Sequence, residues 1–198
     1  MNKNIHPIFD RTLTTNDKEQ LLNQHGVVLW MTGLSGSGKS TIAIQLEKKL
    51  HELGILTQLL DGDNMRTGLN QNLGFSDEDR TENIRRVAET AKLFCSCGIV
   101  TICSFVSPTI KIRELAKSII GAETFKEIYI EASFEACAER DVKGLYKKAK
   151  EGLIKNFTGL DAPFEPSENP FLLINTENDS VEISVNKVFK AVLPFIRN

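Results

Sequence analysis

Eight consecutive residues, Gly33-Leu34-Ser35-Gly36-Ser37-Gly38-Lys39-Ser40, match the pattern G-x-x-x-x-G-K-[ST]. The glycines let the backbone curl so that several N–H groups converge on phosphate oxygens. A helix opening near Lys39 would aim its positive dipole end at the same place. Lys39 is then expected to reach the β- and γ-phosphates, with the Ser40 hydroxyl on Mg²⁺ and Thr41 beside it. A chance glycine turn would lack context. This match follows a continuous apolar run, Val27 to Thr32, and opens a helical pattern in Ile42, Leu46, Lys49, Leu50 and Leu53. The motif implies binding of a nucleoside triphosphate and says nothing of the phosphoryl acceptor.

A second chemical cluster lies at Asp61-Gly62-Asp63-Asn64, at the predicted end of the second strand. Small-molecule kinases keep an acid there to orient an acceptor hydroxyl. Alone, the same residues read equally well as a solvated turn, since Asp-Gly and Asn favour turns. The third strand ends Ser104-Phe105-Val106-Ser107 with no acid, and no Asn-Lys-x-Asp run is present, so an ATPase or GTPase is disfavoured. Arg66, Arg80, Arg85 and Arg86 follow within a short span, and Arg80, Asn83 and Arg86 recur at helical spacing. Forked guanidinium groups suit phosphate or sulfate. The competing account is a charged helix face paired with Asp77, Glu78, Asp79 and Glu82. Arg140 and the lysine-rich stretch Lys143 to Lys155 suit a closing lid, or a charged surface helix. Phe75, Phe157 and Phe164 either stack on an adenine or anchor their loops, and composition does not decide which.

These groups need a scaffold. Predicted strands at Val27–Thr32, Ile55–Leu60, Ile99–Val106, Glu127–Ile130 and Phe171–Asn175 alternate with helices over Asp79–Cys97, after Pro108, over Phe134–Arg140 and over Val181–Ile196. That alternation predicts an α/β fold, a parallel sheet with helices on both faces, and ligands at the carboxyl ends of the strands. Residues 1–25 read as a polar N-terminal arm with an amphipathic piece at Asp17 to Asn23; residues 26–198 read as one domain. The lid is expected at about 140–160, with no comparable apolar strand in its lysine-rich part, which suits a mobile segment. Lys plus Arg is 24 against 26 Asp plus Glu, a net charge of −2, which argues against a nucleic-acid binder. No apolar run reaches membrane-spanning length and no secretory h-region is present, so a cytoplasmic protein is expected. Cys95, Cys97, Cys103 and Cys137 have no metal-ligand spacing and read as reduced thiols.

The chain resembles the adenylyl-sulfate (APS) kinase family, a branch of the P-loop nucleoside-kinase-like folds. The resemblance rests on GLSGSGKST, DGDNMRTGLNQNLGFSDEDRTENIRR, SFVSP, ERDVKGLYKKA and FTGLDAPFE, in order from Gly33 to Glu165. It implies ATP, Mg²⁺ and adenosine 5′-phosphosulfate (APS) as ligands, with phosphoryl transfer to the APS 3′-hydroxyl. It further implies that Asp63 accepts or orients that hydroxyl with Asp61 nearby, that Arg66, Arg80 and Asn83 grip the phosphosulfate, and that Phe75 and Phe157 sandwich the APS adenine. Arg140 would pack on the ATP adenine and Lys143 would sit near the phosphates. Ser107 holds the position where the family sometimes describes a phosphoserine intermediate. In-line transfer needs no protein nucleophile, so Ser107 is also read as a substrate-binding hydroxyl beside Ser104, Phe105 and Val106. Two departures stand out: Thr109 and Ile110 replace the tyrosine and arginine usual after Ser107-Pro108, and Phe164 replaces a common tyrosine. Family members are often dimers, so a homodimer is implied.

Overall fold

The computed structural model describes residues 4–197. Five strands form one sheet in the order β2-β3-β1-β4-β5: β1 Val28–Thr32, β2 Thr57–Asp61, β3 Val100–Ser104, β4 Phe125–Glu131 and β5 Leu172–Asn175. Every pairing is parallel. The first and third strands are buried on both faces, which is why they read as unbroken apolar runs.

Side-chain alternation splits the core in two. Leu29, Met31, Ile102, Ile128 and Ile130 point to the face covered by α2 (Lys39–Glu52) and α8 (Val181–Val192). Val28, Trp30, Leu60, Cys103 and Phe125 point to the other, under α4 (Asp77–Cys95) and α5 (Ile110–Ile120). A third cluster joins Leu34 of the glycine loop to Cys137 of α6 (Phe134–Arg140) and to Tyr146 and Ala149 of α7 (Leu145–Lys150).

Several boundaries move. The long helix starts at Asp77, because the Ser76 hydroxyl accepts from the Asp79 N–H and caps it, and it ends at Cys95. The acidic turn after β2 is helical: α3 (Gly62–Arg66) is capped by the Asp61 carboxylate, which accepts from the Asp63 N–H. The third strand stops at Ser104, and the last helix stops at Val192, followed by a short 3₁₀ turn, Leu193–Phe195, with Pro194 in its first positions. The lysine-rich stretch is not featureless. Within it α7 buries Tyr146 and Ala149, and the Tyr146 hydroxyl donates to the Ser35 carbonyl at 2.7 Å.

Ahead of the sheet, α1 (Thr15–Leu22) buries no residue. Just after it Gln24 is buried and bonds both Leu56 N–H and the carbonyls of Leu56 and Gly98. Among the described residues no helix is long and apolar enough to cross a membrane.

Candidate active site

Strand register sets the site. Asp61 of β2 lies opposite Ser104 of β3, which in turn lies opposite Met31 of β1, two residues before the glycine loop. The ends of three strands therefore bring an acid, a hydroxyl and the loop to one edge. Gly33 leaves β1 with φ +149°, and a Cβ there would stand 2.3 Å from the Ile130 carbonyl oxygen, so only glycine fits. Gly38, at φ +101°, turns the chain into the first residue of α2.

The result is a cleft of about 570 Å³. Its lining includes Ser35, Gly36, Gly38, Lys39, Ser40 and Thr41 of the loop and, from α3 to the start of α4, Asp63, Arg66, Phe75, Arg80 and Asn83. Ser104, Phe105, Val106 and Ser107, at and just after the end of β3, also line it, with Lys143 and Phe157 from the 140–160 segment. Most residues expected at the site on separate grounds thus share one concavity. Gly33, Leu34 and Ser37 of the loop, and Arg140, are absent from the lining. The Arg140 guanidinium donates to the Thr176 carbonyl at 2.8 Å, the Thr176 hydroxyl at 3.1 Å and the Gly36 carbonyl of the loop at 3.4 Å.

The buried Lys39 ammonium donates to the carbonyls of Gly33 (2.9 Å) and Leu34 (2.7 Å). Burial pushes it down to about 8, against partial support from neighbours including Asp61. Ser40 Oγ donates to Asp61 Oδ2 at 2.7 Å and lies 3.1 Å from Ser104 Oγ. These are hard oxygen donors, the set a Mg²⁺ ion accepts when phosphates and water supply the rest. Among the described residues no group of three or more His, Cys, Asp or Glu could hold a metal ion.

Asp63, largely exposed, is bonded by the Lys143 ammonium. Arg80 holds three partners: Phe75 carbonyl (3.0 Å), Thr158 hydroxyl (3.0 Å) and Asn156 carbonyl (2.7 Å). Arg66 lies over the Phe75 ring at 4.3 Å and bonds the carbonyls of Leu73 and Gly74. Burial lowers both guanidinium pKa values, and in Arg66 the neighbouring Arg80 adds to this. Two cations at one cleft make a positive field that would suit an anion. Arg85 and Arg86 instead pair with Glu82 at 2.7 and 2.8 Å, away from the cleft, and hold its carboxyl down to about 2.

The aromatic alternatives divide. Phe75 is 60 % exposed at the rim. Phe157 is buried edge-on against Tyr146 at 4.9 Å and still lines the cleft. Phe164 stacks on Tyr129 at 6.1 Å and anchors its loop. Ser107 is buried at φ +43°, its hydroxyl accepting from the Trp30 indole N–H at 3.0 Å. At the departures, Thr109 Oγ1 caps α5 and the Ile110 N–H donates to the Glu165 carboxylate at 2.6 Å.

Asp61 as a partner of Ser40, and the support from Thr158 and Asn156, are not read from the sequence. Asp61 leaves a signal there as an acid closing a buried strand, and Thr176 by its place just after the last predicted strand; Thr158 and Asn156 leave none.

A family described as adenylylsulphate kinase matches residues 25–175. An adenylyl-sulfate kinase of Bacteroides fragilis is 58% identical over 193 residues, 98% of this chain and 96% of the relative. One from Clostridium acetobutylicum is 52% identical over 189 residues, 95% of this chain and 94% of the relative. Among solved structures, the APS kinase CysC of Mycobacterium tuberculosis in complex with AMPPNP and APS superposes with a TM-score of 0.82 at 41% identity, covering 85% of this chain and 98% of that one. The chain belongs to the adenylylsulphate kinase family.

Proposed function

We propose that this chain transfers the γ-phosphoryl group of ATP to the 3′-hydroxyl of APS, forming 3′-phosphoadenylyl sulfate and ADP. The observation that carries the assignment is the shared cleft, which a phosphate-binding loop lines together with Asp63, two arginines and two aromatic rings.

The loop N–H groups and the start of α2 hold the ATP phosphates. Lys39 exchanges the carbonyls of Gly33 and Leu34 for phosphate oxygens as ATP enters. Ser40, with the Asp61 and Ser104 oxygens beside it, would hold Mg²⁺. When bound, the ion would neutralise charge on the ATP phosphates.

On the acceptor side Phe75 and Phe157 pack on the APS adenine, and Arg66, Arg80 and Asn83 take the phosphosulfate oxygens. Asp63 accepts a hydrogen bond from the 3′-hydroxyl, displacing the Lys143 ammonium toward the phosphates. The O3′–P bond forms as the bond from the γ-phosphorus to the β,γ-bridging oxygen breaks. ADP departs, and the hydroxyl proton passes to the Asp63 carboxylate. Residues 140–160 act as the lid, keeping water from competing for the phosphoryl group.

The test is ADP release by the purified protein with Mg·ATP alone and with APS, AMP, gluconate or shikimate. APS as the best acceptor supports the assignment; another acceptor, or none, removes it.

A further inference from the structure

The turn joining α3 to α4 hides an asparagine with no part in the reaction as described so far. Asn70 is fully buried. Its N–H donates to the Met65 carbonyl at 2.9 Å and its carbonyl accepts from Leu73 at 3.0 Å, so its backbone is held on both sides. Its Nδ2 donates to Oδ1 of Asn83 at 2.9 Å. Its own Oδ1 is buried without a partner among the described residues. An unpaired buried acceptor costs stability, and an apolar residue of similar size would remove that cost. The amide is better explained by what it does to Asn83.

Asn83 is itself buried but lines the cleft alongside Arg66 and Arg80. With its Oδ1 engaged by Asn70, the end left to the cleft is Nδ2, a pure donor. The opposite orientation would set a carbonyl oxygen against an anionic ligand.

We propose that Asn70 is a positioning residue for the acceptor substrate: by donating to Asn83 Oδ1 it holds the Asn83 amide with its N–H groups toward the phosphosulfate. This rests on Asn83 being a substrate contact. Asn70 never touches the substrate; it selects which end of its neighbour does.

The experiment compares steady-state kinetics and melting for Asn70→Asp, Asn70→Ala, Asn83→Ala and the double variant Asn70→Asp/Asn83→Ala, with APS and ATP varied separately. A carboxylate only accepts, so Asn70→Asp draws the Asn83 amide nitrogen inward and turns Oδ1 to the cleft. The expected result is an APS KM raised about tenfold or more, an ATP KM within about twofold, and a smaller rise for Asn70→Ala. In the Asn83→Ala background the Asn70→Asp effect should shrink to less than about twofold. If Asn70→Asp does not fold, Asn70→Ala carries the comparison alone.

Two results overturn the proposal while leaving the substrate role of Asn83 standing. One is an APS KM unchanged in both Asn70 variants when Asn83→Ala raises it. The other is an Asn70 effect that persists in full without the Asn83 amide. An unchanged APS KM in Asn83→Ala removes the substrate role of Asn83 instead, and this inference with it.

Discussion

The Ser40 hydroxyl donates to the Asp61 carboxylate at 2.7 Å, joining the first turn of α2 to the end of β2 although β3 lies between β2 and β1. The other oxygen of the same carboxylate accepts from the Asp63 N–H at 3.0 Å. One carboxyl group therefore orients the Ser40 hydroxyl and caps the helix that carries Asp63. Damage to it should reach both substrates.

Asp61→Asn keeps an oxygen for the cap and loses the charge beside Ser40. Turnover should fall about 10- to 100-fold, with a higher Mg²⁺ requirement, as for a group that supports a metal ligand. Asp61→Ala should add a loss of stability of ~1 kcal/mol from the missing cap. Mg²⁺ titrations of initial rate, with melting curves for both variants, check this. Unchanged Mg²⁺ dependence in Asp61→Asn would take Asp61 away from the metal.

Lys39 gives a pH prediction with a definite sign. Its ammonium is pushed from 10.5 down to about 8 by burial. Between those values the unfolded chain binds more protons than the folded one. Its contribution to the stability of the free protein therefore rises as pH climbs from about 8 toward 10.5. ATP affinity should move the opposite way, weakening above about pH 8 as the cation that meets the phosphates is lost. Calorimetric titration with AMPPNP should show proton uptake there. In Lys39→Ala binding should be weaker and the uptake absent.

The buried Ser107 hydroxyl accepts from Trp30, so its first duty is to the core. Ser107→Ala leaves the indole N–H unpaired, a predicted destabilisation of ~1–3 kcal/mol. Turnover should persist, because transfer passes directly from ATP to the acceptor. Denaturant unfolding measures the first effect and initial rates the second. Abolished turnover in a folded Ser107→Ala, with a phosphoserine found by mass spectrometry, would restore the covalent route.

Arg80 ties the α4 N-terminus to residues 156–158 through two bonds, to the Asn156 carbonyl and the Thr158 hydroxyl, while its Nε donates to the Phe75 carbonyl. A lysine cannot make that fork. Arg80→Lys should raise the APS KM about tenfold or more, the scale expected for lost charge-assisted hydrogen bonds. Amide exchange at Asn156, Phe157 and Thr158 should quicken, while melting changes little. Hydrogen exchange and kinetics on the same sample test both parts. Slow, unaltered exchange there would show that the loop is held by other contacts, with the Asp161 carboxylate the leading one, since it accepts from the Asn156 and Phe157 N–H groups.

The contrast between Lys39 and Arg140 shows how far a sequence carries. Lys39 was placed because its loop is contiguous and the backbone alone builds it, from Gly33 to Ser40. Arg140 is expected over the ATP adenine only through the family resemblance; its bonds run to the Gly36 carbonyl of the loop and to Thr176, whose position depends on β5 lying next to β4. Arg86 shared the helical spacing of Arg80 and Asn83, and Arg85 lay beside it, with a surface ion pair as the competing account for both. The structure pairs both with Glu82.

What the sequence determined by itself was therefore local: the apolar strands, the glycine loop, the acid that ends β2, and through its ordered motifs the family. These follow from backbone sterics and residue periodicity over a few positions. Tertiary structure alone decided which groups meet. Ser40 finds Asp61 21 positions away, Asn83 finds Asn70 13 away and Arg80 finds Thr158 78 away. Such pairings depend on strand order and helix packing, which bring distant residues within the 2.7 to 3.0 Å that a hydrogen bond requires. No spacing along the chain encodes that distance.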